Sequence, residues 1–216
     1  MSERKKEHLF ERYLLFIIGL FIASMGVAFS TKAGLGTSPV ASVPYSVSLV
    51  LTSISFGMWL NVLSIIQISI QIILLRKKCK PLEIFIQTIL AFAYGYLTNF
   101  SCWLIRSIEM HNYLERFIFM LLGCLILAFG LWIQFKGRVA MLPGEAMNRA
   151  IAEVTGKKYE NIKIFFDLFY IALSVVICLV FLHELKGVRE GSVIAAVIIG
   201  LLIKLFNKLW KKLTKK

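Results

Sequence analysis

Asp167 is the one acidic side chain within the apolar run of residues 164–182, which is otherwise uncharged. A carboxylate placed inside a membrane helix costs about 2.5 to 3.5 kcal/mol on insertion scales and is a functional-site hypothesis by default. Lys163 precedes Asp167 by four residues, a spacing at which two helical side chains face each other. The sequence therefore leaves two roles open for Asp167: binding a substrate, proton or ion, or forming a structural ion pair with Lys163.

Polar side chains recur at helical spacing along three of the apolar runs. They are Asn61, Ser64, Gln67 and Gln71 in one run, Gln87, Tyr94, Thr98 and Ser101 in the next, and Asp167, Tyr170, Ser174 and Cys178 in a third. Amide and hydroxyl groups find no partner in lipid, so each stripe is expected to face the bundle interior or a wet cavity. Interhelical hydrogen bonds, each worth about 0.6 kcal/mol in one system, are the purely structural alternative.

A glycine- and proline-rich segment after the first apolar run suggests a further binding site. Its candidate residues are Gly34, Gly36, Thr37, Ser38, Pro39 and Pro44. The glycines allow positive φ, and Thr37 and Ser38 are expected to cap a short helix that begins near Pro39. The free N–H groups at such a helix start form a natural anion site. Prolines inside an apolar stretch predict a broken or re-entrant helix over 39–50, buried in protein or lining water.

A second proline-led segment begins at Pro143 and predicts another short helix, which ends at Gly156. Its polar side chains are Glu145, Asn148, Arg149 and Glu153. The segment is either the re-entrant counterpart of the first or an amphipathic helix at the cytoplasmic interface. Glu190 and Gly191 form another glycine-flanked entry before the last apolar run, and Ser192 is its expected cap.

Long apolar helices must position these residues. Hydrophobic residues make up 58% of the 216-residue chain and charged residues only 17%, and the charges fall mostly between apolar runs. A membrane span needs about 20 such residues. Six runs reach or approach this length: 13–31, 54–75, 84–105, 117–135, 164–182 and the shorter 192–207. The predicted fold is an all-α, polytopic membrane helix bundle, with one transmembrane domain over 13–207 between an N-terminal segment, 1–12, and a basic tail, 208–216.

Repeated glycine and proline spacings predict that the chain holds two copies of one unit, at about 13–105 and 113–207. The repeated spacings are Gly19–Gly26 with Gly123–Gly130, and Pro44–Gly57 with Pro143–Gly156. Small residues at these intervals allow close helix packing in lipid. Three spans per copy place the second copy upside down relative to the first. Such inverted repeats recur in secondary transporters, with the substrate between the halves near the midplane.

The distribution of basic residues predicts the orientation. If the N-terminus is cytoplasmic, 20 of the 25 lysines and arginines fall on the cytoplasmic side, as the positive-inside rule requires. The five on the outer side are Lys32, Arg106, Arg116, Lys186 and Arg189. Both termini are therefore expected inside, and contact with the lipid bilayer accounts for the net charge of +13. Nucleic-acid binding is not expected, because no soluble basic face with stacking aromatics exists.

Composition and motifs do not favour an enzyme or a metal protein. The four cysteines, Cys79, Cys102, Cys124 and Cys178, show no paired spacing, so neither disulfides nor metal ligation is expected. The chain contains no H-E-x-x-H, no G-x-S-x-G and no phosphate-binding loop. We expect no catalytic residues and no cofactor.

The G-L-G-T-S-P loop at 34–39, the later proline-led stretch that ends in Thr-Gly, and the V-R-E-G-S entry at 188–192 resemble a known group. They are similar to the YczE/YyaS/YitT family of bacterial integral membrane proteins, particularly its short YczE-like branch, over about residues 10 to 205. Ser192 stands where that resemblance leads us to expect threonine. The resemblance implies a multi-pass protein of the bacterial plasma membrane and implies little chemistry.

These observations together favour a small secondary transporter or permease for a small polar or anionic molecule. The hypothetical substrate-binding residues are Gly34, Gly36, Thr37, Ser38, Pro39, Pro44, Asn61, Gln67, Pro143, Asp167, Glu190 and Gly191. The alternative is a non-transporting accessory, regulatory or scaffold protein, in which the polar stripes only join helices. Six spans are compatible with a homodimer, although nothing in the sequence requires one.

Overall fold

The computed structural model describes residues 3–76, 80–137, 139 and 141–213, and these residues form an all-α protein. Eight α-helices occur in this part of the chain: α1 Glu3–Lys32, α2 Pro39–Val50, α3 Phe56–Leu75, α4 Pro81–Leu104, α5 Tyr113–Gly137, α6 Pro143–Thr155, α7 Tyr159–Ile177 and α8 Glu190–Leu213. A π-helical turn, Cys178–Leu182, continues α7. Several predicted cytoplasmic residues, Lys77, Lys78, Cys79, Arg138, Lys215 and Lys216, lie outside the described residues.

Five helices of the described chain are long and apolar enough to cross a membrane, which identifies a multi-pass membrane protein by helix composition. These segments are Phe10–Lys32, Phe56–Leu75, Tyr113–Gly137, Tyr159–Leu182 and Glu190–Lys212. They confirm five of the six predicted runs. The remaining run, 84–105, forms the 24-residue helix α4. It is not among the five, and polar residues such as Gln87 and Asn99 lower its mean hydropathy.

The last span differs from its prediction in length. The predicted span over 192–207 and the described part of the predicted basic tail, 208–213, form a single helix, because α8 runs unbroken from Glu190 to Leu213. Its basic end packs on α5: the Trp132 indole N–H donates to Asn207 at 3.1 Å, and the Lys136 ammonium lies 4.6 Å from the Trp210 ring centroid. These side-chain contacts hold the helix past the point where its apolar run ends. The two predicted elements are therefore one.

The glycine stripes of α1 and α5 pack directly against each other, as predicted. A Cβ at Gly26 would meet the backbone of Leu127, and a Cβ at Gly130 would meet the backbone of Ala23. These two contacts are reciprocal, because Gly130 and Leu127 follow Gly26 and Ala23 by the same 104 residues. Positions rise along α1 as they fall along α5, so the two helices run antiparallel.

The other helix contacts occur in pairs that match between the two halves of the chain. α3 packs on α6 while α2 packs on α7, and α1 packs on α4 while α5 packs on α8. The short helix of each half therefore packs on a long helix of the other half. One contact has no counterpart in the other half: α3 and α4 are in close contact, whereas α7 and α8 make no comparable contact within the described residues.

The structure corrects one of the spacings used to infer the duplication. Pro39, rather than Pro44, corresponds to Pro143, since each is the first residue of its short helix. Pro44 lies inside α2. Gly57 is in the first turn of α3, whereas Gly156 ends α6 with φ +68°. The match between Pro44–Gly57 and Pro143–Gly156 is therefore a coincidence, although the expected role of Gly156 as a helix end is confirmed.

The three polar stripes face the protein interior, as predicted. Asn61, Gln67 and Gln71 on α3, Gln87, Thr98 and Ser101 on α4, and Tyr170 and Ser174 on α7 are all buried. Several stripe hydroxyls join helices directly. Ser101 is 3.1 Å from Ser24 of α1, and Ser174 is hydrogen-bonded to Ser46 of α2. Part of each stripe therefore serves helix association, and part remains for a site.

Candidate functional site

The short helices α2 and α6 begin in the same way and point their first turns at a shared cavity. Each starts with a proline, whose fixed φ suits the first helical position and whose missing N–H leaves no donor there. Ser38 and Leu142 occupy the preceding N-cap positions without a side-chain capping bond. Because neither cap satisfies the first turn, backbone N–H groups near Val40 and Gly144 remain available to a ligand.

A cavity of about 310 Å³ lies between these helix starts and five surrounding helices, α3, α4, α5, α7 and α8. Its polar lining residues are Ser38, Ser64, Gln67, Tyr94, Glu145, Asn148, Tyr159, Lys163 and Asp167. Its apolar lining includes Leu60, Leu127, Leu131, Phe135, Ile199 and Ile203. The charged lining residues come from α6 and α7, whereas all lining residues of α5 and α8 are apolar and match the hydrocarbon part of a small molecule.

The charged residues of the cavity all come from the second half of the chain. Lys163 and Asp167 are one helical turn apart on α7, with the ammonium nitrogen 3.2 Å from Asp167 Oδ2. The Asp167 side chain is 21% exposed and that of Lys163 is 40% exposed. The ion-pair role that the sequence left open is thus present in the structure, and the pair also lines the cavity. The two roles are compatible.

Glu145 supplies a second carboxylate from the first turn of α6. Burial raises the pKa of Glu145 to about 7, with the Asp167 carboxylate adding to the rise and the Lys163 ammonium opposing it. Burial acts in this direction because the low-dielectric surroundings disfavour the charged form of a carboxyl group. The pKa of this carboxyl group therefore lies near neutral pH, well above its ordinary range.

Neutral polar groups complete the charged side of the cavity. Asn148 lies one turn after Glu145 on α6, is only 3% exposed, and its Oδ1 accepts no hydrogen bond from the described residues. On the facing helix α3, the Gln67 amide donates to the Tyr170 hydroxyl at 2.9 Å. Gln67 is thus oriented by a partner, while Asn148 presents an unused acceptor. A hydrogen-bond donor on a ligand in the cavity would satisfy this acceptor.

The structure brings five of the twelve predicted site residues to the cavity: Ser38, Pro39, Gln67, Pro143 and Asp167. Two others stand elsewhere in the bundle. Pro44 is buried within α2, and Asn61 packs on α4, where a Cβ at Gly95 would meet its side chain. These two residues are placed to shape helix contacts and not to line the cavity.

The other five predicted residues, Gly34, Gly36, Thr37, Glu190 and Gly191, join the loop after α1 to neighbouring helices. The Thr37 amide donates to the Ser192 hydroxyl at 3.1 Å, and the Gly191 amide donates to the Leu35 carbonyl at 2.9 Å. Gly36 has φ +110° and lies so close to Ser192 that no Cβ fits. Two capping predictions were wrong: Ser192 lies inside α8, and the Thr37 hydroxyl is paired with Ser30. Ser38 does occupy the predicted N-cap position of α2, but its side chain makes no capping bond. This loop anchors α8.

Sequence reasoning missed Glu145, Asn148, Tyr159 and Lys163 as members of the cavity. The polar face of α6 also fits a surface helix, so Glu145 and Asn148 carried no sign of burial. One signal was available: Gly19 precedes Pro39 by the interval that separates Gly123 from Pro143. That interval aligns the two short helices and would have marked α6 as the counterpart of the apolar, buried α2.

Comparison with known proteins relates the chain to a family of unknown function and to an uncharacterized bacterial protein. Residues 10–208 match the family of unknown function DUF6198. The chain is also 25% identical over 145 residues to the uncharacterized protein YyaS of Bacillus subtilis (strain 168), covering 67% of this chain and 70% of YyaS. No solved structure matches it. The YyaS part of the resemblance drawn from the loop motifs is confirmed, and the chain belongs to the DUF6198 family.

Proposed function

We propose that this protein is a small-molecule permease whose substrate occupies the cavity between α2 and α6. The observation that carries the proposal is that two short helices, one from each half, direct their uncapped first turns at one cavity. Paired half-helix starts around a central site are a recurrent feature of secondary transporters. The apolar wall and the polar residues opposite it supply the two kinds of contact that small ligands need.

The proposal includes an inverted relation between the two halves. The antiparallel α1–α5 pair, with its reciprocal glycine contacts, supports a pseudo-two-fold axis in the membrane plane. α2 follows one end of this pair and α6 follows the opposite end, as two re-entrant helices entering from opposite sides do. In this arrangement α4 is the sixth span and both termini are cytoplasmic, in keeping with the basic-residue asymmetry.

The unequal packing of the two halves supports alternating access. Gly57 of α3 and Gly95 of α4 are in close backbone contact, which closes the first half. In the second half the cavity extends between α7 and α8, and a Cβ at Gly200 would meet no atom within 4 Å. In an inverted-repeat transporter, the second conformation exchanges the arrangements of the two halves. Closing α7 against α8 is the movement that this exchange requires.

The charges of the site narrow the substrate class. With Glu145 ionised, the cavity holds two carboxylates and one ammonium group, so it has a net negative charge. A polar substrate with a cationic group suits this charge better than the anion that the sequence alone also allowed. The uncapped helix starts can still accept a carboxylate if the substrate is a zwitterion.

Flux measurement tests the permease proposal. The purified full-length protein in proteoliposomes is expected to accelerate uptake of at least one compound from a panel of primary amines, amino acids and monocarboxylates. Empty liposomes made from the same lipid provide the background. Uptake at background for the whole panel, in vesicles whose protein is shown to be folded, counts against transport.

A non-transporting scaffold is the second candidate, and one observation favours it. Several polar stripe residues are fully used in helix association, including the Ser24–Ser101 and Ser46–Ser174 pairs. A scaffold needs such bonds and needs no cavity. The same flux experiment separates the two functions, because only the permease uses the cavity to move solute.

Asp167→Asn is expected to leave the protein folded but to reduce flux by about tenfold, equivalent to about 1.4 kcal/mol. The change leaves Lys163 without its partner, so its ammonium turns towards Glu145 and occupies the remaining carboxylate of the cavity. Initial uptake rates at constant pH measure the effect. The double variant Asp167→Asn with Lys163→Gln removes the competing ammonium and should recover part of the flux. Wild-type flux in the single variant would restrict Asp167 to a structural role.

A further inference from the structure

We propose that Glu145 binds the cationic group of a small amine with an apolar body, and that this group exchanges there with a proton. The proposal deepens the permease function, and its place in a transport cycle rests on that function. Binding of the amine at Glu145 is inferred from the geometry of the cavity alone, and it can be tested without measuring transport.

Glu145 is the carboxylate of the cavity that has no ion-pair partner. Lys163 is already bound to Asp167, at 3.2 Å from one oxygen and 3.3 Å from the other. Among the described residues, none is hydrogen-bonded or ion-paired to Glu145, and its neighbours act on it only through space. Glu145 is half-buried and faces a largely apolar cavity without a partner, so its anionic form is disfavoured unless a cation binds beside it.

The charged and titratable groups around Glu145 come from few elements. α7 contributes Lys163, Asp167 and Tyr159, and α4 contributes Tyr94. Arg149 lies on α6 itself and is exposed. The lining residues of α2, α3 and α8 are all uncharged. Burial raises the pKa of Glu145 to about 7, so the charge of this group changes near neutral pH.

The other groups around Glu145 favour a hydrogen-bond donor with an apolar body. Asn148 Oδ1 is an unused, buried acceptor one helical turn away on the same face of α6. A carboxylate and an amide oxygen together match the three N–H donors of a primary ammonium group. Opposite them, Leu127, Leu131 and Ile199 offer only hydrocarbon. A cavity of about 310 Å³ holds an amine with a small aliphatic or aromatic body.

The first half of the chain shows that the helix arrangement does not need this carboxylate. Glu145 lies two residues after Pro143, and the position two residues after Pro39 is Ala41. Ala41 is buried in the equivalent first turn, and α2 folds and packs without any charge. Because the same element forms with alanine at this position, the acidic group of α6 serves something other than packing.

The direction of the pH effect follows because only the ionised carboxylate of Glu145 binds the cationic group of the amine. Above pH 7 Glu145 is mainly ionised and binds the cation; below pH 7 the proton occupies the same oxygens and the cation is displaced. For competition at a single carboxyl with a pKa of about 7, the apparent Kd rises about tenfold between pH 8 and pH 6. Each cation bound at pH 6 releases close to one proton, and few are released at pH 8.

Calorimetry on the full-length protein in lipid nanodiscs tests the proposal with benzylammonium chloride, which stays cationic over this pH range. Expected results are binding at pH 8, about tenfold weaker binding at pH 6, and proton release that grows as the pH falls. Benzoate and benzyl alcohol, which share the ring but not the positive charge, should bind at least tenfold more weakly at pH 8. Glu145→Gln should abolish binding of benzylammonium, whereas Glu160→Gln, at an exposed position on α7, should not.

The wild-type pH profile and proton release remain decisive if Glu145→Gln does not fold. Binding of benzylammonium that is independent of pH overturns the proposal. So do tighter binding of benzoate, unchanged binding by folded Glu145→Gln, and the absence of binding by both benzylammonium and n-butylammonium at pH 8. Binding with the expected pH profile but without flux would contradict the permease proposal and leave the cation site intact.

Discussion

Replacing Gly26 with leucine is expected to prevent formation of the folded protein. A Cβ at this position would press on the backbone nitrogen of Leu127 and lie 2.6 Å from its Cα. Both atoms belong to the main chain of α5, so no side-chain rotation relieves the clash. Overpacking a well-packed contact costs about 1 to 3 kcal/mol and sometimes more, and here the α1–α5 contact joins the two halves. Separating them also disrupts the contacts at Gly19, Gly123 and Gly130.

Size-exclusion chromatography and thermal unfolding in detergent measure this effect. Gly26→Leu should give aggregated protein or a greatly lowered Tm, and Gly26→Ala an intermediate Tm. Gly200→Ala is the matched control, because Gly200 also lies within a spanning helix but its Cβ would meet nothing within 4 Å. A monodisperse Gly26→Leu protein with the wild-type Tm would show that α1 and α5 are not in backbone contact.

The features that sequence predicted well are those that local composition determines. Apolar runs marked five of the spans because a lipid-facing helix must be apolar over its whole length. Gly19 and Gly123 marked the α1–α5 contact because only a missing side chain allows such close approach. Pro39 and Pro143 marked the starts of the short helices because proline is tolerated in the first turn and disrupts a helix interior.

The features that sequence predicted poorly depend on which elements meet in space. Glycine follows Pro44 and Pro143 at the same distance, which pairs these two prolines in the sequence, although Pro39 and Pro143 are the prolines that start the two short helices. Gly34, Gly36 and Thr37 are predicted to bind the substrate because their motif is conspicuous. Their chemistry is instead used to hold α8, through contacts that span more than 150 residues of sequence.

Glu145 shows why the candidate site could not be located from sequence alone. The pattern of α6 gives a polar face, and such a face fits either water or a buried site. Only the packing of α6 on α3 and α7 decides between these, since it encloses Glu145 and Asn148 in the cavity. Asp167 was identified because a charge inside a long apolar run is rare, whereas a charge on a short polar helix is ordinary.

The unequal packing of the two halves leads to the second large effect, at Gly200 on α8. In this conformation α7 and α8 are apart, and Gly200 lines the cavity with open space in front of its Cα. A leucine at this position is therefore expected to be accommodated, and the protein should fold with a Tm near that of the wild type. This outcome contrasts with Gly26→Leu, although both changes introduce the same side chain into a spanning helix.

Transport by Gly200→Leu should nevertheless fall by about a hundredfold or more. In the first half, α3 and α4 close through Gly57 and Gly95, where a Cβ at either glycine would meet the backbone of the other helix. If the second half closes in the same way during the cycle, a leucine at Gly200 fills the space that α7 must enter. Opposing closure by about 3 kcal/mol lowers the closed population by about a hundredfold.

Uptake by proteoliposomes containing equal amounts of folded wild type, Gly200→Ala and Gly200→Leu measures this effect. Flux should decrease in that order, since the methyl group of alanine obstructs closure less than the leucine side chain does. Wild-type flux in Gly200→Leu would mean that α7 and α8 stay apart throughout the cycle, and access would then have to alternate by some other movement. A folded Gly200→Leu protein without transport would instead identify the α7–α8 gap as the moving part and the close α3–α4 contact as the arrangement it adopts.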